Sequence, residues 1–311
     1  MAKDTLRVIP LGGLGEIGRN MMLLEYGDDI IVIDVGLMFP EEEMLGVDLV
    51  IPDFSYLRDR KENLRGIFLT HGHEDHVGAL PYFLREFNAP IYSARLTDGL
   101  IRVKLQEHRL LQEVATNVVA PGEVVEAGVF SVEFFTVAHS IPDACGLIIR
   151  TPLGPVVHTG DFKLDHTPVM DQHTDLIRLG QIGAEGCLLL MADSTYAEQE
   201  GYTPSEQLVG DALRSIIVNA QGRVIVATFA SLISRVQLVV DAAVFTGRKV
   251  FVTGRSMIDN VAMARQLGYI NAPDGVIIGV EEMRNTPPSR LIIITTGSQG
   301  EPTSALTRMA N

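Results

Sequence analysis

The segment from residue 69 to residue 80, LTHGHEDHVGAL, crowds metal-binding groups into one short stretch of the chain. Five of them fall within six residues: His71, His73, Glu74, Asp75 and His76. An apolar strand pattern, GIFLT, leads into the first histidine, and apolar residues at helical spacing follow the last one. Imidazole suits zinc, and a carboxylate extends the choice to harder ions such as manganese. The segment therefore predicts a metal site on a strand-to-helix loop.

A single histidine in a core is usually structural, but packing hardly explains three of them beside an aspartate in so short a loop. Asp75 and His76 can point away from His71 and His73, so one loop can serve two metals. We expect Glu74 to face solvent or to lie behind the ligands rather than to bind a metal.

Two side chains from the loop do not complete the coordination of either metal. Residues distant in the sequence must therefore supply the other ligands of both sites. Two polar residues close apolar strand patterns: His139 ends FFTVAH, and Asp161 ends VVHTGD. A carboxylate that lies between two metals can bridge them. Asp34 ends the apolar strand IIVID. It is either a solvated strand end or, as we expect, the acceptor that orients the histidine loop.

The apolar pattern changes near residue 200. The first part of the chain reads mainly as strands, including a hairpin with its turn at residues 27–29. The polar stretch EGYTPSEQ forms a boundary, and beyond it apolar runs such as RVIVATF alternate with amphipathic helices such as SRVQLVVDAAVF. This alternation predicts a parallel sheet covered by helices. We therefore predict an α/β fold with domains at residues 1–203 and 204–311.

The charge of the chain limits its partners. The formal net charge is −14, from 25 basic and 39 acidic residues, which excludes a protein held to nucleic acid by bulk charge alone. No apolar run approaches the roughly 20 residues needed to cross a membrane. Two cysteines are too few for a disulfide framework and suit a reducing compartment. We expect a cytoplasmic protein with no membrane partner.

Several motifs together resemble one family. THGHEDHVGALPY, AHSIPDACG and HTGDFK are similar to the metallo-β-lactamase fold, and in particular to its β-CASP branch of nucleic-acid-processing proteins. IPLGGLGEIGRNM, ADSTYAE and TTGSQGEPTSALTRMA narrow the resemblance to the ribonuclease J family. The resemblance implies an αββα metallo-β-lactamase sandwich with an inserted β-CASP parallel α/β domain, which is incomplete in this chain.

The resemblance also implies an activity. Members of this family are two-metal RNA phosphodiester hydrolases that act as 5′-to-3′ exonucleases and as endonucleases in rRNA processing, other RNA maturation and mRNA decay. They prefer RNA with a 5′-monophosphate and form homodimers or homotetramers. The cofactors implied are two divalent ions, zinc first, with manganese or magnesium as alternatives.

Carried over motif by motif, the resemblance gives each predicted residue a role. It assigns one metal to His71, His73 and His139. It assigns the other to Asp75 and His76, with Asp161 shared. Asp75 and Asp193, which ends CLLLMAD, match acids that the family uses in catalysis.

The second region is predicted to contact RNA. In open α/β sheets, ligands gather at the carboxyl ends of the strands. There the resemblance favours an anion-binding turn formed by Gly297, Ser298, Gln299 and Gly300. An ordinary glycine-rich helix start is the alternative for this turn. Ser231 is a further candidate for the same surface.

The family's last metal-binding histidine and its proton-donating histidine have no counterpart in this chain. We therefore expect a truncated chain that binds one metal well and the second weakly, with little nuclease activity. Two other functions stay open at this point. One is a hydrolase of the same superfamily acting on a small ester or thioester, and the other is an inactive RNA-binding fragment.

Overall fold

The computed structural model describes residues 5–41, 43–170, 172–298 and 304–310. The chain forms two compact units. The first includes the N-terminal part up to His139, then Asp143–Leu164 and Gln172–Tyr202. The second contains the chain from Thr203 onward, and it also takes Ser140–Pro142 and the segment between Leu164 and Gln172. The sequence pattern did not predict these two short contributions from the first region.

The first unit begins with a mixed sheet. Its strands are β1 (Leu6–Gly12), β2 (Met21–Tyr26), β3 (Asp29–Ile33), β4 (Leu64–Leu69), β5 (Ile91–Ser93) and β6 (Thr116–Val118). They lie side by side in sequence order. The first three are antiparallel, with the predicted hairpin turn at Gly27, whose φ of 61° suits glycine. From β3 onward the strands are parallel, so β3 and β4 both end at the edge where the histidine loop begins.

Helices cover one face of this sheet. They are α1 (Ser55–Arg58), a 3₁₀ helix (Lys61–Asn63), α2 (Glu74–Val77), α3 (Leu80–Phe83) and α4 (Arg95–Glu107). Leu57, Phe83 and Ile101 from these helices join strand residues such as Ile67 in one buried cluster. The helical pattern after the histidine loop is divided between α2 and α3 rather than continuous. Pro81 lies in the first turn of α3, where a missing N–H costs nothing.

A second sheet completes the first unit. Its strands are β7 (Val124–Ala127), β8 (Phe130–Thr136), β9 (Cys145–Thr151), β10 (Gly154–His158) and β11 (Leu189–Met191). Their order is β11-β10-β9-β8-β7, with β11 parallel to β10 and the other pairs antiparallel. Helix α5 (Leu176–Glu185) is tied to this sheet by Arg178, which donates to both carboxylate oxygens of Glu133 on β8 at 2.6 and 2.7 Å.

The two sheets of the first unit share an apolar core. Ile31 and Phe68 from the first sheet pack in the same buried cluster as Phe130, Phe134 and Leu147 from the second. The Phe68 and Phe134 ring centroids are 6.3 Å apart. Apolar side chains therefore hold the sheets face to face, with helices outside them. This layering confirms the predicted metallo-β-lactamase sandwich.

The second unit is built on a parallel sheet. Its strands are β12 (Val224–Ala227), β13 (Lys249–Val252), β14 (Ile277–Ile278) and β15 (Leu291–Thr295), in the order β12-β15-β13-β14. All three pairings are parallel, as the alternating sequence pattern predicted. The strands alternate with α6 (Glu206–Asn219), α7 (Ile233–Thr246), α8 (Arg255–Leu267), α9 (Val280–Asn285), a 3₁₀ helix (Pro288–Arg290) and α10 (Ala305–Ala310). Within the described residues, every helix is too short or too polar to span a bilayer.

Candidate metal centre

The histidine loop leaves the sheet at the end of β4 and packs against α4. A Cβ on Gly72 would lie 2.4 Å from Leu100 Cδ1, so a larger residue there would displace the Leu100 side chain. Lys104 of the same helix donates to both carboxylate oxygens of Glu74 at 2.9 and 2.8 Å. Glu74 is therefore bonded to α4, in line with the expectation that it lies behind the ligands.

Three imidazoles converge in front of this loop. His71 Nε2 lies 3.0 Å from His73 Nδ1, and His139 Nε2 lies 3.2 Å from the same atom. Zinc binds imidazole nitrogens at about 2.0–2.1 Å in tetrahedral geometry, which places two ligand nitrogens roughly 3.3 Å apart. His73 Nδ1 therefore already stands at close to zinc-ligand spacing from the other two nitrogens, and all three donor atoms lie within 4.8 Å of one another.

A second group of donors lies beside the first. His76 Nε2 is 3.3 Å from Asp161 Oδ1 and 3.5 Å from Asp75 Oδ2. The other oxygen of Asp161 lies 4.0 Å from His71 Nε2 and 3.8 Å from His139 Nε2. Asp161 therefore stands between the two groups, where the sequence interpretation placed a shared ligand. Residues from the ends of β4, β8 and β10 meet here although up to 90 positions separate them in the chain.

Asp34 supports the loop from behind. Its Oδ1 accepts the Thr70 N–H at 2.8 Å, and its Oδ2 accepts from Thr70 Oγ1 at 2.8 Å and from His76 Nδ1 at 2.7 Å. The carboxylate is buried, and the backbone of Asp34 has a φ of 57°, a region that few non-glycine residues occupy. Asp34 is thus bonded as the expected orienting acceptor and not as a solvated strand end.

These hydrogen bonds select the histidine tautomers. Because His76 Nδ1 donates to Asp34, its Nε2 is the nitrogen left to face a metal. The Thr70 hydroxyl donates to Asp34 and so presents its lone pairs to His71 Nδ1 at 3.1 Å. His71 then also directs an unprotonated Nε2 toward the cluster. One buried carboxylate therefore prepares a donor atom for each group.

Burial keeps the three clustered imidazoles neutral. It lowers the pKa of His73 to about 3, with a further contribution from neighbouring His139, and it lowers the pKa of His139 to about 4. Burial likewise holds the pKa of His71 well below its ordinary value. Neutral imidazole is the form that binds metals, so these residues need not lose a proton first.

The second group has the opposite charge balance. Burial disfavours the charged form of His76, but Asp161, Asp75 and Asp34 together raise its pKa well above the ordinary value. Burial also opposes ionisation of Asp161, yet the charge and hydrogen bond of His76 lower its pKa below the ordinary range. Three carboxylates therefore surround one imidazole, and this negative surplus suits a divalent cation.

A cavity of about 970 Å³ opens beside the second group. Asp75, His76, Asp161 and Asp193 all line it, together with the glycine-rich segment between β1 and β2. Both the N–H and the hydroxyl of Thr195 donate to Asp193 Oδ1, at 2.9 and 2.7 Å. The two acids that the resemblance assigns to catalysis thus share one cavity.

The residues predicted to contact RNA follow carboxyl ends of parallel strands in the second unit. Ser231 comes after β12 and is buried, whereas Ser298 comes after β15 and is exposed. Gly297 has a φ of 115°, and a Cβ there would lie 2.5 Å from Ser304 Oγ, so only glycine suits this turn. Gln299 and Gly300 lie outside the described residues.

Sequence reasoning missed several contributors to the site. Thr70 precedes the first histidine, but its link to Asp34 spans 36 positions. Asn20 lies within the quoted motif IPLGGLGEIGRNM, yet nothing in that motif shows that its amide approaches His76, which is 3.1 Å away. Lys104 gives no sequence signal at all, because a lysine in an amphipathic helix is ordinarily a solvated residue.

Comparison with known proteins agrees with this geometry. A sequence model described as "Metallo-beta-lactamase superfamily" matches residues 14–197, and one described as "Ribonuclease J, beta-CASP domain" matches residues 221–311. The chain therefore belongs to the metallo-beta-lactamase superfamily. Its C-terminal part carries the β-CASP domain of the ribonuclease J type, which confirms the resemblance drawn from the motifs.

Curated relatives are similar over essentially the whole chain. Ribonuclease J of Synechocystis sp. is 46% identical over 100% of this chain and 50% of its own length. Ribonuclease J2 of Bacillus subtilis is 45% identical over 99% of this chain and 56% of its own length. Ribonuclease J of Thermus thermophilus is 47% identical over 99% of this chain and 55% of its own length. The chain thus spans about half the length of these relatives.

The fold is also known from a crystal structure of a protein of unknown function from Enterococcus faecalis V583. The TM-score is 0.67, and the alignment covers 93% of this chain and 76% of that chain. At 17% sequence identity this similarity supports the fold alone.

Replacing Asp34 by asparagine tests its role in orienting the ligands. We expect Asp34→Asn to weaken zinc binding by about 10–100-fold, because one amide oxygen cannot serve three donors. Asparagine tolerates the same backbone conformation, so the chain should still fold. Competition with a chromophoric chelator measures the affinity. Asp143→Asn is the matched control, since Asp143 has the same φ of 57° but accepts from Leu96 N. Equal zinc affinity in wild type and Asp34→Asn would contradict the assignment.

A second change tests the close packing behind Asp75. A Cβ on Gly36 would lie 1.5 Å from the Asp75 carbonyl oxygen. We expect Gly36→Ala to lower the free energy of unfolding by about 1–3 kcal/mol or more, because backbone must move. Gly180→Ala in α5 is the control, since nothing lies within 4 Å of its Cβ position. It should be neutral or gain up to about 1 kcal/mol. Urea denaturation measures the free energy of unfolding of both variants. Equal values would show that the backbone around Gly36 moves without cost, which would contradict the expected close packing.

Proposed function

We propose that this chain is the metal-binding and RNA-contacting part of a metal-dependent ribonuclease. The observation that carries the proposal is the convergence of His71, His73 and His139 beside His76 and Asp161, at donor spacings suited to divalent cations. The β-CASP match supports RNA as the substrate class, because a hydrolase of small esters has no evident use for a second α/β unit. The names of the curated relatives support the same substrate.

The proposed ligands form two sets. His71, His73 and His139 would hold one cation, and Asp75 and His76 would hold the other, with Asp161 shared. The imidazole-rich first set favours zinc, whereas the carboxylates of the second set also suit manganese or magnesium. When bound, such cations lower the pKa of water and stabilise charge on phosphate oxygens.

The protein's own residues would orient and support this chemistry. Asp34 and Thr70 would hold His76 and His71 through their Nδ1 atoms, which turns the two Nε2 atoms toward the proposed cations. Asp75 places a carboxylate at the wall of the cavity. Asp193, held by two bonds from Thr195, lies on the same cavity and is suited to supporting a proton transfer there.

The second unit would guide the RNA. Ser231, Gly297 and Ser298 follow carboxyl ends of parallel strands, where α/β sheets bind their ligands. By similarity to its relatives, the protein would degrade RNA from a 5′-monophosphate end and also cleave internally, in rRNA processing and mRNA decay. A cytoplasmic location and a homodimeric or homotetrameric assembly belong to the same proposal, as do domain limits at residues 203 and 204.

A nuclease assay tests this function. We expect slow release of nucleotides from 5′-monophosphorylated RNA, dependent on added Zn²⁺ or Mn²⁺, and faster than from RNA with a 5′-hydroxyl. Asp75→Ala should abolish release because it removes a ligand beside His76. Asp48→Ala, which changes an exposed aspartate, is the control.

Two outcomes would contradict the proposal. Hydrolysis of thioesters without any RNA cleavage would favour a small-molecule hydrolase of the same superfamily. RNA binding that survives Asp75→Ala, without cleavage in any metal, would favour a non-catalytic RNA-binding protein.

A further inference from the structure

Asn20 links the glycine-rich segment to the histidine loop through its main chain. Its N–H donates to the Asp75 carbonyl oxygen at 3.0 Å, and its own carbonyl accepts the Gly36 N–H at 2.9 Å. The residue directly precedes β2 and is half-buried. These backbone bonds place its side chain at the second donor group whatever that side chain is.

The amide of Asn20 is directed at the ligands. Its Nδ2 lies 3.1 Å from the Asp75 carbonyl oxygen, 3.4 Å from Asp75 Oδ2 and 3.1 Å from His76 Nε2. The carbonyl oxygen only accepts, so the atom facing it must be the NH₂ group and not the amide oxygen. The oxygen lies toward Gly13, where a Cβ would come within 2.5 Å of it. The space between the two segments therefore fits an amide in one orientation.

The chemistry of an amide suits this position. It donates hydrogen bonds without carrying a charge, so it can hold a carboxylate next to a cation site without repelling the cation. The nearby positive charge of Arg19 is engaged elsewhere, since its Nε donates to Glu16 Oε1 at 3.1 Å and its guanidinium forms a second, shorter bond to Oε2. Glu16 also accepts the Gly13 N–H at 3.1 Å, so its carboxylate bonds only within the glycine-rich segment in these contacts.

We propose that Asn20 is a positioning residue for the second cation: its NH₂ group holds the main chain and the carboxylate of Asp75 in place beside His76. This rests on the proposed function, in which Asp75 and His76 are ligands of that cation. The backbone bonds of Asn20 hold the segments together, and its side chain adds one bond to the Asp75 carbonyl oxygen and one to the Asp75 carboxylate. A control variant that loses an equivalent amide bond elsewhere therefore separates positioning from folding.

Stepwise zinc titration of Asn20→Ala tests this inference. We expect the weaker of the two binding steps to lose about 10-fold or more in affinity, because the donor that orients the Asp75 ligand is gone. The stronger step, assigned to the three imidazoles, should change less than about 2-fold. The melting temperature of the metal-free protein should match that of Asn117→Ala, the control. Asn117 likewise donates a side-chain amide to a backbone carbonyl, that of Ile91 at 3.2 Å, but away from the site.

Asn20→Asp distinguishes positioning from direct ligation. Aspartate has the same size but offers no donor to the Asp75 carbonyl, so we expect the weaker step to be no tighter than in wild type. A tighter weaker step would show that an oxygen at this position binds the cation, which would overturn the donor role.

The remaining outcomes are also decisive. Unchanged affinity at both steps in Asn20→Ala, or an equal loss at both with a lowered melting temperature, would overturn the inference while leaving the proposed function intact. Failure of the wild-type chain to take up a second cation at any concentration would instead contradict the two-cation site of the proposed function, and the inference with it.

Discussion

The buried carboxylate of Asp34 is the interaction on which the site depends. It ends β3 in a left-handed backbone conformation and receives three donors, from Thr70 N, Thr70 Oγ1 and His76 Nδ1. A buried carboxylate is costly unless its lone pairs are used, and here the hydrogen-bond donors all belong to or adjoin the histidine loop. The hydrogen bonds that satisfy the Asp34 carboxylate therefore also orient the Nε2 atoms of His71 and His76 toward the metal sites.

The fold brings in the metal-binding residues that the histidine loop does not itself contain. Apolar packing between the two sheets brings the ends of β8 and β10 to the end of β4, so His139 and Asp161 reach the loop from distant parts of the chain. The donor atoms then divide into a neutral cluster of imidazoles and an acidic group around His76. Two environments of different charge, built from one loop, suit two cations of different affinity. The cavity beside the acidic group also brings Asp193 within the same space.

Much of this could be predicted from the sequence, and the rest could not for identifiable reasons. The histidine loop is recognisable in the sequence because each of its ligands follows the previous one by only one or two positions. His139, Asp161 and Asp34 stand out as polar residues that end apolar strands. Asn20 and Lys104 act through contacts 30 or more positions away, which periodicity does not encode. The helical pattern after the loop likewise did not reveal the break between α2 and α3, because both helices bury apolar residues at similar spacing.

Crystals grown with zinc, measured by anomalous scattering at the zinc absorption edge, test the central claim most directly. The account predicts a zinc ion bound by His71, His73 and His139, with a second cation, at lower occupancy, beside His76 and Asp161. Zinc absent from these residues at saturating concentration, with the three imidazoles bonded only to one another, would contradict it.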